Sequence, residues 1–191
     1  MIEAGFKPSD KLAVWLDSTN SAEAATAQVG AIKAGMSVVT FDEGDSVSDV
    51  SSALKDSGAR GLLFSPTTVD EHGEKRANAL HEHIPEIDSM YPGDEFSCAA
   101  FPELQHLIHT GHKTIHGMTK FKESMLYTKR RHTHQRIAGT SPETTVLECY
   151  RNGSKVASFT NQELVDKSDS FWSKSIASHG TLSPVFVTLS M

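Results

Sequence analysis

The first third of the chain alternates between short apolar runs and longer amphipathic stretches. The runs Lys11 to Leu16, Ser37 to Phe41 and Gly61 to Phe64 predict buried β-strands. Strands that alternate with helices through short connections are typical of parallel sheets joined by right-handed crossovers. The pattern therefore predicts an α/β fold with a Rossmann-like parallel sheet and crossover helices.

Two helices are predicted between these strands. Asn20 and Ser46 each precede an acidic residue by three positions, which is the spacing of an N-terminal capping box. Gly35 and Gly58 follow the last periodic residues, where a left-handed cap favours glycine. The residues predicted to face the sheet are Ala22, Ala25, Val29 and Ile32 in the first helix and Val47, Val50 and Leu54 in the second.

The middle of the chain is less regular. Thr67 to Ile84 predicts a polar helix, and Glu103 to His109 predicts a strand. Residues 111–142 form an irregular basic segment. We place it within a single domain of residues 1–191, because this length suits one full-sized core.

A β-hairpin followed by a helix is predicted in the last quarter. The alternating runs Thr145 to Tyr150 and Val156 to Phe159 flank Asn152-Gly153, a dipeptide that strongly favours a two-residue hairpin turn. Thr160 precedes a glutamate by three positions and predicts a further capping box at the start of a helix. A final apolar run, Pro184 to Leu189, predicts a last strand.

Composition excludes several classes of protein. Hydrophobic residues make up 38% of the 191 residues and charged residues 22%, which argues against disorder. No apolar run approaches the ~20 residues that cross a bilayer, so no transmembrane segment is expected. Two cysteines, Cys98 and Cys149, are too few for a disulfide framework and favour a reducing compartment.

Charge is unevenly distributed along the chain. The net charge of -6 disfavours a global nucleic-acid binder, yet residues 120–136 hold six Lys and Arg against one Glu. We predict an acidic partner there, either RNA, anionic lipid or an acidic protein surface, and the alternative is a solvated basic loop. The predicted contact residues are Lys120, Lys122, Lys129, Arg130, Arg131 and Arg136.

Four histidines are spaced closely enough to suggest a metal site. His109, His112 and His116, with His106 before them, would share a face suited to zinc if the segment were helical. A strand ending at His109 and a glycine at position 111 argue against the helix, so we expect no metal and no other cofactor. Cys149 has no companion base and is expected to be a buried, inert thiol.

Several signals over about 60 residues resemble the opening of the large domain of adenylate-forming enzymes, the superfamily of acyl-CoA synthetases and other AMP-dependent ligases. The matching stretches are Gly5 to Asp10, Asn20, Gly30 to Gly35 and Leu54 to Ala59, in the order and spacing of that family. The resemblance implies the N-terminal fold of the family. Such signals mark packing and turns, so they imply the fold more than the activity.

The resemblance also places a phosphate-binding loop in the last quarter. The flanks match, with Tyr150 ending the strand, but only Gly153, Ser154 and Lys155 remain of a loop that is rich in Gly, Ser and Thr in the family. A segment this short cannot surround a triphosphate with backbone N–H groups. We therefore interpret these residues as a degenerate remnant that binds no nucleotide.

The family's nucleotide contacts, magnesium-binding Glu and catalytic Lys lie beyond the equivalent of Met191, so the resemblance implies a truncated chain. We expect a non-catalytic, enzyme-derived structural or accessory subunit that binds the other protein subunits of a large assembly. The expected setting is mitochondrial, in an ATP synthase, respiratory complex or mitoribosome, and otherwise cytoplasmic. The alternatives are the N-terminal piece of a split acyl-CoA synthetase and a residual acyl- or nucleotide-binding module.

Overall fold

The computed structural model describes residues 5–68, 75–91, 96–126 and 141–168. The strands are β1 (Lys11–Trp15), β2 (Ser37–Thr40), β3 (Gly61–Phe64), β4 (His106–His109), β5 (Thr119–Lys120), β6 (Thr145–Arg151) and β7 (Ser154–Thr160). The helices are α1 (Ser21–Lys33), α2 (Val47–Ser57), α3 (Arg76–His83), α4 (Phe121–Leu126) and α5 (161–168).

The strands form one sheet in the order β5-β4-β3-β1-β2-β6-β7. All neighbouring pairs are parallel except β6 and β7, which form an antiparallel hairpin. The predicted α/β class, the parallel sheet and the hairpin are therefore confirmed.

Helices cover both faces of the sheet. Buried residues of α2 and α3 pack with Trp15 and Phe64 on one face. On the other face, buried alanines of α1 pack with Val14 and Leu63, together with Leu164 of α5. β3 is apolar and buried along its whole length, as expected for a strand that is covered on both faces.

Most predicted strands and helices occupy the expected positions, with differences at their ends. The strand predicted from Glu103 begins only at His106. Of the helix predicted over Thr67 to Ile84, the described part is Arg76–His83. The predicted strand at Pro184 to Leu189 lies outside the described residues.

The predicted capping boxes differ in outcome. At Ser46, the hydroxyl accepts from the backbone N–H of Asp49, whose carboxylate accepts from the backbone N–H of Ser46. The same reciprocal pair joins Thr160 and Glu163, so both predictions are confirmed. The prediction at Asn20 is wrong, because its side-chain amide donates to Asp17 instead.

The predicted sheet-facing side of α1 is wrong in part, because only Ile32 of the four predicted residues packs against the core, where it is partly buried. The buried residues are Ala27, Gln28 and Ala31, whereas Ala22 is exposed. Alanines lie on several sides of this helix, so hydrophobic spacing does not single out the buried face. In α2, by contrast, Val47, Val50 and Leu54 are all buried as predicted.

The sheet contains a topological switch point between β1 and β3. The connection through α1 leads from β1 to β2 on one side, and the connection after β3 leads to β4 on the other side. In open α/β sheets, ligands bind in the crevice at the carboxyl ends of strands at such a point.

No helix within the described residues is both long and apolar enough to cross a membrane.

Candidate functional site

The turn of the β6–β7 hairpin lies at the carboxyl edge of the sheet. Since β6 runs parallel to β2, its last residue, Arg151, lies beside the loop that follows β2. Asn152 and Gly153 form the turn, with φ angles of 49° and 72°. Positive φ at both central residues is the requirement of the type I′ turn that suits a two-residue hairpin, so the predicted hairpin is confirmed.

The three residues that the resemblance assigns to a phosphate loop are divided between this turn and the next strand. Gly153 belongs to the turn, whereas Ser154 and Lys155 are the first residues of β7. A Cβ atom added to Gly153 would lie 3.4 Å from the carbonyl oxygen of Asp49 and from the Cβ of Ser52. One side of the turn is therefore closed by α2.

Three groups of the segment 151–155 that could bind an anion are bound to carboxylates of the same chain. The Arg151 guanidinium donates to Asp42, and the backbone N–H of Asn152 donates to Asp45 Oδ1 at 2.9 Å.

The Lys155 ammonium lies 3.2 Å from Glu148 Oε1. That carboxylate is buried, and the Lys11 ammonium lies 3.1 Å from the same oxygen. Arg151, Asn152 and Lys155 are thus all engaged within the chain.

The surroundings of the turn are acidic. Burial raises the pKa of Asp45, the N–H groups of Asn152 and Asp42 lower it, and the nearby carboxylates of Asp42 and Asp49 raise it further, so that the net shift is upward. A phosphate group placed at this turn would meet the same carboxylates. The electrostatics therefore disfavour a second anion at the turn.

A second polar network lies at the switch point. Asp17 follows β1, and its Oδ1 accepts from the backbone N–H of Thr19 at 3.1 Å and from the Asn20 amide at 2.7 Å. Its Oδ2 accepts from the hydroxyl of Thr68. The Asn20 amide also donates to the hydroxyl of Ser65, at 3.4 Å, so the loops after β1 and β3 are joined.

The carboxylate of Asp17 is stabilised by these donors. Burial alone would raise its pKa, but hydrogen bonds from Thr19, Thr68 and Asn20, together with the charge of Arg76, lower the pKa to about 2. Sequence reasoning missed this network. The sequence signal that could have indicated it is the polar residues directly after β1 and β3, the two strands whose connections leave in opposite directions.

Arg76 extends the network into the core. Its guanidinium, on a residue 1% exposed, stacks 4.1 Å from the Trp15 ring and donates to the carbonyl oxygens of Trp15 and Glu43. It therefore joins the ends of β1 and of the loop after β2. The donors and acceptors of this network largely satisfy one another, which suits a role in holding the loops.

The described part of the predicted basic contact segment lies at the opposite edge of the sheet. The Lys120 ammonium on β5 is 3.6 Å from Glu123 Oε1, and Lys122 on α4 is exposed. The other predicted contacts, Lys129, Arg130, Arg131 and Arg136, lie outside the described residues. This segment and the hairpin turn are separate surfaces, because β5 and β7 are the two edge strands of the sheet.

The four histidines lie on a strand and in the loop after it, and not on one face of a helix. His106 and His109 lie at the two ends of β4, and His112 and His116 are exposed in the following loop. Within the ranges that the structure describes, no group of three His, Cys, Asp or Glu side chains is arranged to hold a metal. Cys149 is buried as predicted, and burial raises the pKa of its thiol.

Comparisons with known proteins define the class of fold. No protein-family model matches the sequence, and no curated protein matches it significantly. Solved structures of acyl-CoA synthetases and related ligases do match. The chain has the α/β fold of part of the N-terminal domain of adenylate-forming enzymes.

Three of these structures show the extent of the likeness. A fatty acyl CoA synthetase from Mycobacterium tuberculosis matches 90% of this chain with a TM-score of 0.55 and 17% identity. Coronafacic Acid Ligase from Pectobacterium brasiliense matches 88% with a TM-score of 0.60 and 12% identity. A long-chain-fatty-acid CoA ligase from Rhodopseudomonas palustris matches 89% with a TM-score of 0.60 and 9% identity.

The chain spans a limited part of these structures. It covers 28% of the first two and 36% of the third. At identities this low, the likeness shows the fold alone.

Proposed function

We propose that this chain is a non-catalytic relative of part of an adenylate-forming enzyme and serves as a structural or accessory subunit of a larger protein assembly. The observation that carries the proposal is the state of the phosphate-loop remnant. Arg151, Asn152 and Lys155 bind Asp42, Asp45 and Glu148 of the same chain.

The physical argument concerns both the number and the occupancy of donors. A loop that holds a triphosphate presents several inward backbone N–H groups. The two-residue turn offers few, and the N–H of Asn152 already binds the Asp45 carboxylate. Nucleotide binding would have to displace this carboxylate and place phosphate charge beside Asp42 and Asp45.

Titration calorimetry with Mg·ATP tests the loss of nucleotide binding, with a fatty acyl-CoA synthetase as positive control. We expect no binding tighter than ~1 mM for the wild-type chain. The double variant Asp42→Asn, Asp45→Asn removes both charges. It distinguishes a nucleotide site that is blocked by these carboxylates from one that is absent. It is also expected not to bind, since the turn is too short to surround phosphates. Tight binding by either protein would contradict the proposal.

The assembly part of the proposal rests on the predicted basic contact segment. Lys122 is exposed on α4, whereas the neighbouring Lys120 is engaged by Glu123. Lys122 is therefore the described residue of the segment best placed to meet an acidic partner, whether protein, RNA or anionic lipid. Sedimentation of the native complex, with companions identified by mass spectrometry, is the direct test. We expect a stoichiometric particle much larger than the chain.

A charge-reversal pair makes this test specific. Lys122→Glu is expected to reduce incorporation into the particle, and Lys113→Glu, at another exposed lysine, serves as the matched control. Equal incorporation of both variants, or a chain that sediments alone, would count against the assembly role. The mitochondrial compartment stays a prediction, which fractionation of the source cells would test.

The coverage of the matched structures favours a second candidate. Because the chain spans about a third of each ligase, it is compatible with one piece of a split acyl-CoA synthetase. An ATP–pyrophosphate exchange assay on the native particle, with fatty acids as substrates, distinguishes the two. Exchange that depends on this chain would replace the first proposal with the second.

A further inference from the structure

A buried histidine at the end of β4 has no hydrogen-bond partner in the part of the chain that the structure describes. His109 is 0% exposed, and neither ring nitrogen is bonded within the described residues. Buried polar groups are usually paired, since an unpaired group loses its bonds to water without replacement. The site therefore favours the neutral ring over the charged one.

The neighbours of His109 offer little to stabilise a proton. Phe64 on β3 and Lys120 on β5 are its registered partners in the sheet. A Cβ atom added to Gly111 would lie 3.2 Å from His109 Nδ1 and 2.7 Å from Pro66, so the following loop passes close to the ring.

Two charged groups of the described residues act on the ring, from β5 and α4. Burial lowers the pKa of His109, the Lys120 ammonium lowers it further, and the Glu123 carboxylate opposes both. The Lys120 ammonium lies 3.6 Å from Glu123 Oε1. This ion pair weakens the ability of Glu123 to stabilise a proton on His109. Phe64, the register partner of His109 on β3, and Pro66 and Gly111 of the nearby loops do not titrate.

The strand beside His109 is the shortest of the described strands and lies at an edge of the sheet. β5 has only two residues, and its registered partners Ile108 and His109 are the last residues of β4. Short edge strands open locally at low free energy. Opening of β5 would admit water to the ring and allow it to take up a proton.

We propose that His109 is an acid-sensitive latch, whose protonation releases β5 and α4, residues 119–126, from the edge of the sheet. The open form binds the proton more tightly than the closed form. The closed form is thus favoured above the ordinary histidine pKa near 6.5 and loses its advantage as the pH falls below that value. In this range, each pH unit raises the opening constant by up to about tenfold.

Hydrogen exchange measured by mass spectrometry on the full chain tests the latch. Protection of residues 119–126 is compared at pH 7.5 and pH 5.0, after correction for the intrinsic exchange rate. We expect it to fall by at least about fivefold, while residues 145–160 of the hairpin keep their protection.

Matched variants assign the effect. His109→Gln removes the titrating ring and should abolish the pH dependence, and His112→Gln, at an exposed histidine of the same segment, should retain it. If His109→Gln does not fold, His109→Phe provides the same comparison. The proposal would be overturned if the loss of protection between pH 7.5 and pH 5.0 were the same in the His109 and His112 variants. It would also be overturned if the hairpin lost as much protection as residues 119–126.

Discussion

The ammonium of Lys155 lies 3.2 Å from Oε1 of Glu148, a residue that is 6% exposed. Lys155 is the lysine that sequence resemblance assigns to a phosphate loop, yet its charge is directed to a carboxylate of the adjacent strand. Lys11 approaches the same oxygen from β1. One buried carboxylate thus joins three strands of the sheet, β1, β6 and β7.

Removing this carboxylate should destabilise the fold. In Glu148→Gln, the ammonium groups of Lys11 and Lys155 lose their common anion and remain near each other. We expect a loss of about 1–3 kcal/mol in the free energy of unfolding, measured by urea denaturation.

Lys155→Met is the control for Glu148→Gln, because it leaves Lys11 paired with Glu148. Its loss should stay below about 1 kcal/mol, since Lys155 is partly exposed. Equal losses in the two variants would contradict the shared role of Glu148.

Asp17 should make stability depend on pH in the acid range. The pKa of its carboxyl is lowered from 3.8 to about 2, so the unfolded chain binds the proton first as the pH falls. The stabilisation is complete above the unfolded pKa and is lost as the pH falls from about 4 to 2.

Asp17→Asn should remove this dependence. After allowance for solvent screening, we expect a loss of about 1–2 kcal/mol in the free energy of unfolding at pH 7 and little difference from wild type at pH 2. Chemical denaturation at both pH values measures it, and Glu86→Gln, at an exposed position, is the control. A difference that persists at pH 2 would show that the carboxylate charge is not responsible.

The sequence predicted the sheet better than it predicted the site, for a physical reason. Strand periodicity, the capping box at Ser46 and the Asn152-Gly153 turn are set by residues close together in the chain. The contact between Asn152 and Asp45 joins positions 107 residues apart. Local spacing holds no information about such a pairing. The partners of the hydrogen-bond donors in residues 151–155 could therefore be identified only from the folded structure.

Two errors in local structure have the same origin. The prediction at Asn20 failed because Asp17, which belongs to the switch-point network, takes its side-chain amide. The buried face of α1 was misplaced because its alanines give a weak pattern, and packing against β1 and β2 decides instead. In both cases, tertiary contacts outweigh the local signal.

Gly153 should resist substitution because of its backbone conformation. Its φ angle is 72°, and the Cβ of an alanine at this position would lie 3.4 Å from atoms of α2, so alanine would be strained. Gly153→Ala should lower the free energy of unfolding by about 1–2 kcal/mol. Asn152→Gly keeps the turn and should change it by less than about 0.5 kcal/mol, as measured by thermal and urea unfolding. A neutral Gly153→Ala would contradict the type I′ turn.

Arg76 should require a guanidinium and not merely a positive charge. Its planar group stacks on Trp15 while it donates to the carbonyl oxygens of Trp15 and Glu43, a geometry that a lysine ammonium cannot reproduce. We therefore expect Arg76→Lys to reduce the free energy of unfolding by about 2–4 kcal/mol, because a buried cation would lose both its stacking and part of its hydrogen bonding. Arg60→Lys is the matched control, since Arg60 forms a partly exposed ion pair with Asp10 at 3.4 Å, and it should cost less than about 1 kcal/mol. Urea denaturation of both variants at pH 7 measures these losses. If Arg76→Lys also costs less than about 1 kcal/mol, a positive charge alone is enough to hold the loops at the carboxyl edge of the sheet.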